Sequence, residues 1–275
     1  MPASGPTVAR RQLGRRLRRL REAAGVTADQ VEEAGLASRT KIWRIEAGKV
    51  RVTMPDVWAL ARLYGVDQAE ADALAALAQS TGAQGRWQQY GDIVPEWFRL
   101  YIGLEDAASG IRTFEDCVVP GELQTADYAR ALWDGARPDV DPVGREPHIR
   151  LRLDRQQALF GRSPAPRLHI VLGENVLRRQ VGGPEVLAAQ IEHLVALGAR
   201  DGVDIRVLPF SAGAHPAVTG AFRILDFDDP EDPDVVYVEL EVAAHYLERQ
   251  AEVETYRRIF ALLHRRARPI GDFAG

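Results

Sequence analysis

The side chains best suited to recognition chemistry stand in one short run, Arg39-Thr40-Lys41-Ile42-Trp43-Arg44-Ile45. At about 100° per residue, Ile42 and Ile45 define the buried side of a helix through this run, and Thr40 points most nearly opposite them. Arg44 and Trp43 flank that outward direction, while Arg39 and Lys41 lie at its edges, within reach of base rims or phosphates. An arginine so placed can bond guanine bidentately, worth about 1–3 kcal/mol of discrimination, and Thr40 can meet a thymine methyl. Trp43 either wedges against sugar and base edges or folds back onto the protein surface. Just beyond, Lys49, Arg51 and the amides of the next helix at Thr53 suit anchoring to a phosphate backbone. The plain alternative is a solvated helix face with ordinary charges.

A second, looser set of candidates lies downstream. His215 sits in the Gly- and Pro-rich loop Gly213 to Gly220, and Glu105, Glu174 and Glu239 interrupt apolar surroundings. A histidine with carboxylates can do acid–base work if the groups converge in one pocket. The simpler role for His215 is a loop-organising hydrogen bond to backbone. Cys117, the single cysteine, reads as a small buried hydrophobe in a strand-like run. It leaves no intramolecular disulfide and no cysteine-built zinc site, and no metal or cofactor is expected. Nucleophile-elbow, P-loop and dinucleotide patterns are not found, so the expectation is a protein that is not an enzyme.

The elements that must position the first group are helical. Leu13, Leu17, Leu20 and Ala24 recur at offsets of four, three and four, one face of a helix from Val8 that Gly25 stops. Its other faces carry Arg10, Arg11, Arg15, Arg16, Arg18, Arg19 and Arg21. Thr27 caps a second helix ending near Ala34, with Gly35 as the turn; Ser38 caps a third, running to Ala47 and ended by Gly48. Thr53 caps a fourth, with Val57, Leu60, Leu63 and Tyr64 as its stripe, and Gln68 to Ser80 makes a fifth.

After Gly82-Ala83-Gln84-Gly85, which reads as a hinge, the pattern becomes mixed. Helices are expected at Glu96 to Ala108, Thr125 through Leu132, Ile149 to Phe160, Pro184 to Ala199 and Leu247 to Arg265. Strands are expected at Arg112 to Val119, Leu168 to Leu172, Val203 to Leu208, Phe222 to Phe227 and Val235 to Leu240. The fold class is therefore α+β: an all-α five-helix helix-turn-helix domain over 1–81, then a larger mixed α+β domain over 82–275, with some α/β alternation in its middle.

Charge divides at nearly the same place. Residues 1–66 hold 13 Lys+Arg against 6 Asp+Glu, net +7, and the remainder is net −11, a contrast the overall −4 conceals. Apolar residues at 46% and charged residues at 27% fit a globular chain and exclude disordered and collagen-like classes. No apolar run approaches the ~20 residues needed to span a bilayer, and the start MPASGPTVARRQ lacks a secretory apolar segment, so a soluble, cytoplasmic, nucleoid-associated protein is expected.

Two resemblances sharpen this reading. The segment TADQVEEAGLASRTKIWRIEAG, Thr27 to Gly48, resembles the Cro-like (xenobiotic-response-element type) helix-turn-helix, above all in Ser38, Ile42, Arg44-Ile45-Glu46 and Gly48. The resemblance implies a structural ion pair between Arg21 and Glu46. Ala28 stands where that family often has Gln, Glu32 where a small residue usually packs, Gly35 falls one place early, and Trp43 replaces a residue commonly small and polar. Further on, VPGELQTADYARAL (Val119 to Leu132), LDRQQAL (Leu153 to Leu159), VLPFSAGAHPAVTGAFRILDF (Val207 to Phe227) and VVYVE (Val235 to Glu239), with Trp87, Tyr90, Leu104 and Glu105, resemble the C-terminal domain of actinobacterial regulators described as antitoxin-like. Glu122 stands where that family often has Leu.

The expected function is thus a sequence-specific regulator binding a double-stranded DNA operator with residues 38–47 in the major groove. A homodimer matches the symmetry of such sites. The second domain would dimerise and bind a regulatory ligand or partner, with Glu105, Tyr128, His215 and Glu239 as candidate contacts. The alternative is an antitoxin-like protein whose main role is to bind a small protein encoded by a neighbouring gene, with DNA binding for autoregulation.

Overall fold

The computed structural model describes residues 8–50, 52–81, 90, 93–228 and 233–273; Arg51, the expected hinge at 82–85 and Trp87 lie outside them. The chain divides into two units, Met1–Ala107 and Ala108–Gly275. That division falls after residue 107 instead of at the expected 81/82 junction, because a helix at Glu96–Ala107 packs with the first unit, against the first helix.

The first unit contains α1 (Val8–Ala23), α2 (Ala28–Glu33), α3 (Arg39–Glu46), α4 (Met54–Leu63), α5 (Gln68–Thr81) and α6 (Glu96–Ala107). Each cap is built by the residue type that favours it. Thr27 accepts from the Gln30 amide and Gln30 answers the Thr27 amide, a reciprocal capping box; Thr53 and Asp56 repeat it at α4, and Ser38 accepts from the Lys41 amide at α3. Leu13, Leu17, Val31, Ile42, Ile45, Val57, Leu60 and Leu74 form one core, with Leu20 partly buried against it. The expected stripe on α1 ends there: Ala24 is exposed, since the helix has already finished at Ala23. Two glycines set helix spacing. A Cβ on Gly14 would lie 2.4 Å from the Ile45 carbonyl oxygen, and one on Gly48, at φ +65°, would strike Arg11 at 2.9 Å.

The second unit is a seven-stranded mixed sheet in the order β6-β5-β4-β1-β2-β3-β7, with β1 Gly110–Glu115, β2 Arg167–Gly173, β3 Val203–Leu208, β4 Phe222–Asp226, β5 Val235–Leu240, β6 Ala243–Leu247 and β7 Arg268–Pro269. β1, β2 and β3 are parallel neighbours joined through helices α7 (Ala126–Ala136), α8 (Pro142–Phe160), α9 (Glu174–Arg178) and α10 (Gly183–Gly198), while the other pairings are antiparallel. Helix α11 (Gln250–Arg266) covers one face: Val253, Phe260 and Leu263 pack on Phe114, Val171, Phe222, Ile224 and Val236.

Four expectations are corrected here. The strand expected to reach Val119 stops at Glu115, where the chain bends, so Cys117 is exposed and not buried. Helix α8 starts at Pro142, seven residues before Ile149, because Asp141 caps it and Pro142 is tolerated in a first turn; Pro147 lies inside it. The helix expected from Leu247 begins at Gln250, since 243–247 pairs with β5 as β6, Val236 opposite Leu247. The intervening turn, Glu241-Val242, carries none of the usual hairpin residues.

Candidate nucleic-acid interface

Helix α3 is a short rod with two faces. Ile42 and Ile45 are buried, and Arg39, Thr40, Lys41, Trp43 and Arg44 are exposed, with Lys49 exposed just beyond. Its attitude is fixed from behind by Arg21 of α1, whose guanidinium donates to both oxygens of Glu46 at 2.6 and 3.0 Å and to the Val26 carbonyl at 3.0 Å. This bidentate pair holds Arg21 above its ordinary pKa, chiefly through the hydrogen bonds to Glu46. Burial, with the Glu46 charge adding to it, pushes the Tyr64 hydroxyl up to about 12.

The exposed cations are not equivalent. Arg39 Nε lies 3.2 Å from carboxylate oxygens of both Asp29 and Glu32, so the acidic residue that departs from the helix-turn-helix pattern supplies a local partner for the first residue of α3. Lys41 lies 3.5 Å from Asp56, joining the α3 edge to the α4 cap. Burial alone would raise the Asp56 carboxyl, but hydrogen bonds from the Thr53 side chain and amide, with Lys41 beside them, hold it below its ordinary value. Among the described residues Arg44 has no carboxylate partner, and its side chain and Thr40 face solvent. Trp43 is exposed but not isolated. Its ring carries the Lys49 ammonium at 4.2 Å from the centroid, yet it remains 58% exposed, so a flat aromatic and a cation present one combined surface. Arg18, Arg39 and Trp43, with Ala28 at the start of α2, border an open groove of about 350 Å³ beside α3.

Several α1 arginines are engaged by carboxylates, Arg16 with Glu70 at 3.4 Å, Arg18 with Glu22 at 2.8 Å and Arg21 with Glu46. They are a less free phosphate surface than their number implies.

The downstream candidates each have their own local contacts. Glu105 belongs to α6 in the first unit, buried, and accepts from the Tyr101 hydroxyl at 2.9 Å. Tyr128 is fully buried and its hydroxyl accepts from the Val119 amide at 3.3 Å. Glu239 is half-exposed, 3.8 Å from Arg223. His215 packs edge-on against Phe114 with ring centroids 5.6 Å apart, and its Nδ1 is buried with no hydrogen-bond partner among the described residues. The expected loop-organising hydrogen bond is therefore replaced by an aromatic contact. Glu174 caps a turn instead, accepting from the Phe210 amide at 2.8 Å and from Arg178 at 2.9 Å.

Three groupings escaped the sequence reading. Arg223 on β4 gathers Glu115 at 3.3 Å, Glu122 at 3.5 Å and Glu239 at 3.8 Å, so Glu122 finds a cation where an apolar neighbour was expected. Burial, with Glu122 and Glu239 adding repulsion that Arg223 only partly offsets, pushes the Glu115 carboxyl up to about 7. On the opposite sheet face His169, Asp204 and His264 lie together, one donor atom of each within 4.8 Å of the others. Parallel register makes His169 and Asp204 cross-strand partners, a relation that separations of 35 and 60 residues hide in the sequence. An amide cluster also escaped notice: Gln190, fully buried, accepts from the Thr125 amide at 2.7 Å and donates to the Leu123 carbonyl at 2.8 Å. It fixes the turn before α7, which gives the GELQTADY string a structural role.

Comparison with known families matches residues 12–74 to a helix-turn-helix domain and residues 98–272 to a domain of unknown function, DUF5753. The chain belongs to the DUF5753 family. No curated protein and no solved structure matches it. The DUF5753 match begins inside α6 and ends at Asp272, taking in every strand of the sheet, whereas α6 itself packs with the helical unit. The helix-turn-helix match spans α1 to α5 and supports a DNA-binding regulator at the level of class. An N-terminal helical unit followed by a mixed α+β unit is thus the architecture of this DUF5753 chain. Among the described residues no helix is long and apolar enough to cross a membrane.

Proposed function

We propose that the protein is a sequence-specific transcriptional regulator that inserts α3 into the major groove of a double-stranded DNA operator. The observation that carries this reading is the rod itself: Ile42 and Ile45 bury one side of α3 while Thr40, Trp43 and Arg44 stay exposed on the other. Base reading falls to that edge. Arg44 is free to approach guanine O6 and N7, Thr40 a thymine methyl, and the Trp43–Lys49 pair a sugar–phosphate strand. Arg39 and Lys41 must exchange Asp29, Glu32 and Asp56 for phosphate, so their net gain on binding is smaller.

The second unit serves, in this reading, as the dimerising and partner-binding half of a cytoplasmic, non-enzymatic protein. The exposed Leu240 and Val242 beside edge strand β6 support a contact role there. The same surface fits the alternative in which a small protein is the principal partner and DNA binding serves autoregulation.

An operator selected from random duplexes by the full-length protein tests the assignment. Replacing Arg44 with Ala should cost about 1–3 kcal/mol and relax the choice of base at one position in each half-site. Replacing Arg39 with Ala should weaken selected and unselected duplexes nearly alike and lower the salt slope by about one or less. Equal affinity of wild type and an Arg39, Lys41, Arg44 triple-Ala variant for the selected operator would overturn the role given to α3.

A further inference from the structure

We propose that His169, Asp204 and His264 form a binding site for one divalent transition-metal ion of the zinc class. The three residues come from three elements whose relative positions the fold fixes. His169 and Asp204 are partners on the parallel strands β2 and β3, and the two-residue period of a strand sends both side chains to one face. That face is the one α11 covers, and His264 reaches down to it from the last turn of that helix. Asp204 Oδ2 lies 2.6 Å from His264 Nε2 and 3.9 Å from His169 Nδ1, and the three donor atoms all lie within 4.8 Å of one another.

Metal–nitrogen and metal–oxygen bonds of about 2.0–2.2 Å place tetrahedral donors roughly 3.4 Å apart. The widest pair needs to close by about 1–1.5 Å, within the swing of half-buried rotamers on fixed backbones. Two imidazoles and one carboxylate make a nitrogen–oxygen set that suits zinc, cobalt and nickel, and is too nitrogen-rich for calcium or magnesium. Side-chain exposures of 42% for His169, 33% for Asp204 and 27% for His264 give an ion access and leave room for water in the remaining positions.

Arg206 sharpens the test. Its Nε lies 3.1 Å from both Asp204 oxygens, so it orients the carboxylate and also competes for it. A metal site predicts that removing this guanidinium tightens binding, whereas a hydrogen-bond network with no metal role predicts no binding to tighten.

The experiment is titration of the full-length, untagged protein with zinc chloride by calorimetry, and with cobalt(II) as a visible-absorption probe. The expected result is one saturable equivalent, with cobalt d–d bands that zinc displaces. His169→Gln leaves the His264–Asp204 hydrogen bond intact and should weaken zinc at least about tenfold; Asp204→Asn should do the same, and Arg206→Met should strengthen it. His264→Ala removes a contact of α11 and is read only beside a circular dichroism spectrum matching wild type. Absence of a saturable equivalent, or His169→Gln binding zinc as wild type does, would overturn the proposal. The outcome is independent of DNA binding.

Discussion

Arg39 and Lys41 show that exposure and availability differ. Both side chains are open to solvent, yet each is held by carboxylates of the neighbouring helices, while Arg44 has none among the described residues. Angular position on a helical wheel reveals the first property. The second depends on Asp29, Glu32 and Asp56, whose distance from α3 is set by the packing of α2 and α4. Gly14 illustrates the same limit from the opposite side. In the sequence it is a mild liability within a helix, but in three dimensions its missing side chain admits the α3 carbonyls of Ile45 and Glu46. Because backbone cannot swing aside as a side chain can, Gly14→Ala should destabilise the helical unit by about 1–3 kcal/mol. Thermal or urea unfolding measures it, and a midpoint within error of wild type would show that α1 and α3 separate at little cost.

Helices were the most legible elements because their ends carry chemistry that can be read locally. Thr27, Ser38 and Thr53 cap where they should, and glycines at 25, 35 and 48 hold positive φ just past the helix ends. The strand run Val203–Leu208 has the boundaries its alternation implies. What failed was wherever one element's identity depends on a distant partner. β6 is a strand only because β5 lies beside it, and α8 continues through Pro147 only because Asp141 has already started it. Cap chemistry also carries a test at this scale. Ser38→Ala removes the acceptor for the Lys41 amide, and should cost about 1 kcal/mol of stability. Since the first turn of α3 holds Thr40 and Lys41, operator affinity should fall with it; a stability loss with unchanged affinity would place that turn outside the interface.

Across the whole molecule, the composition shift and charge split anticipated two parts, and the packing gives two parts, but at 107/108 instead of 81/82. The sheet order was not legible, because β4 inserts beside β1 only after the chain has completed the parallel trio. The sheet unit holds a carboxyl whose titration burial displaces strongly. Glu115 keeps its proton to about pH 7 in the folded chain, against 4.5 ordinarily. The stability this contributes is complete below about pH 4.5 and is lost as pH rises through about 7. Unfolding followed from pH 5 to 8 should therefore show declining stability of the sheet unit, and Glu115→Gln should flatten the slope; an unchanged slope would remove Glu115 as its source. The close passage of α1 over α3 at Gly14 bears on how such a protein can diversify. With backbone against backbone, the tilt of α3 cannot drift by small side-chain changes. Under the proposed function, new operators must then come from exchanging residues along its outward edge, with the angle of presentation inherited unaltered.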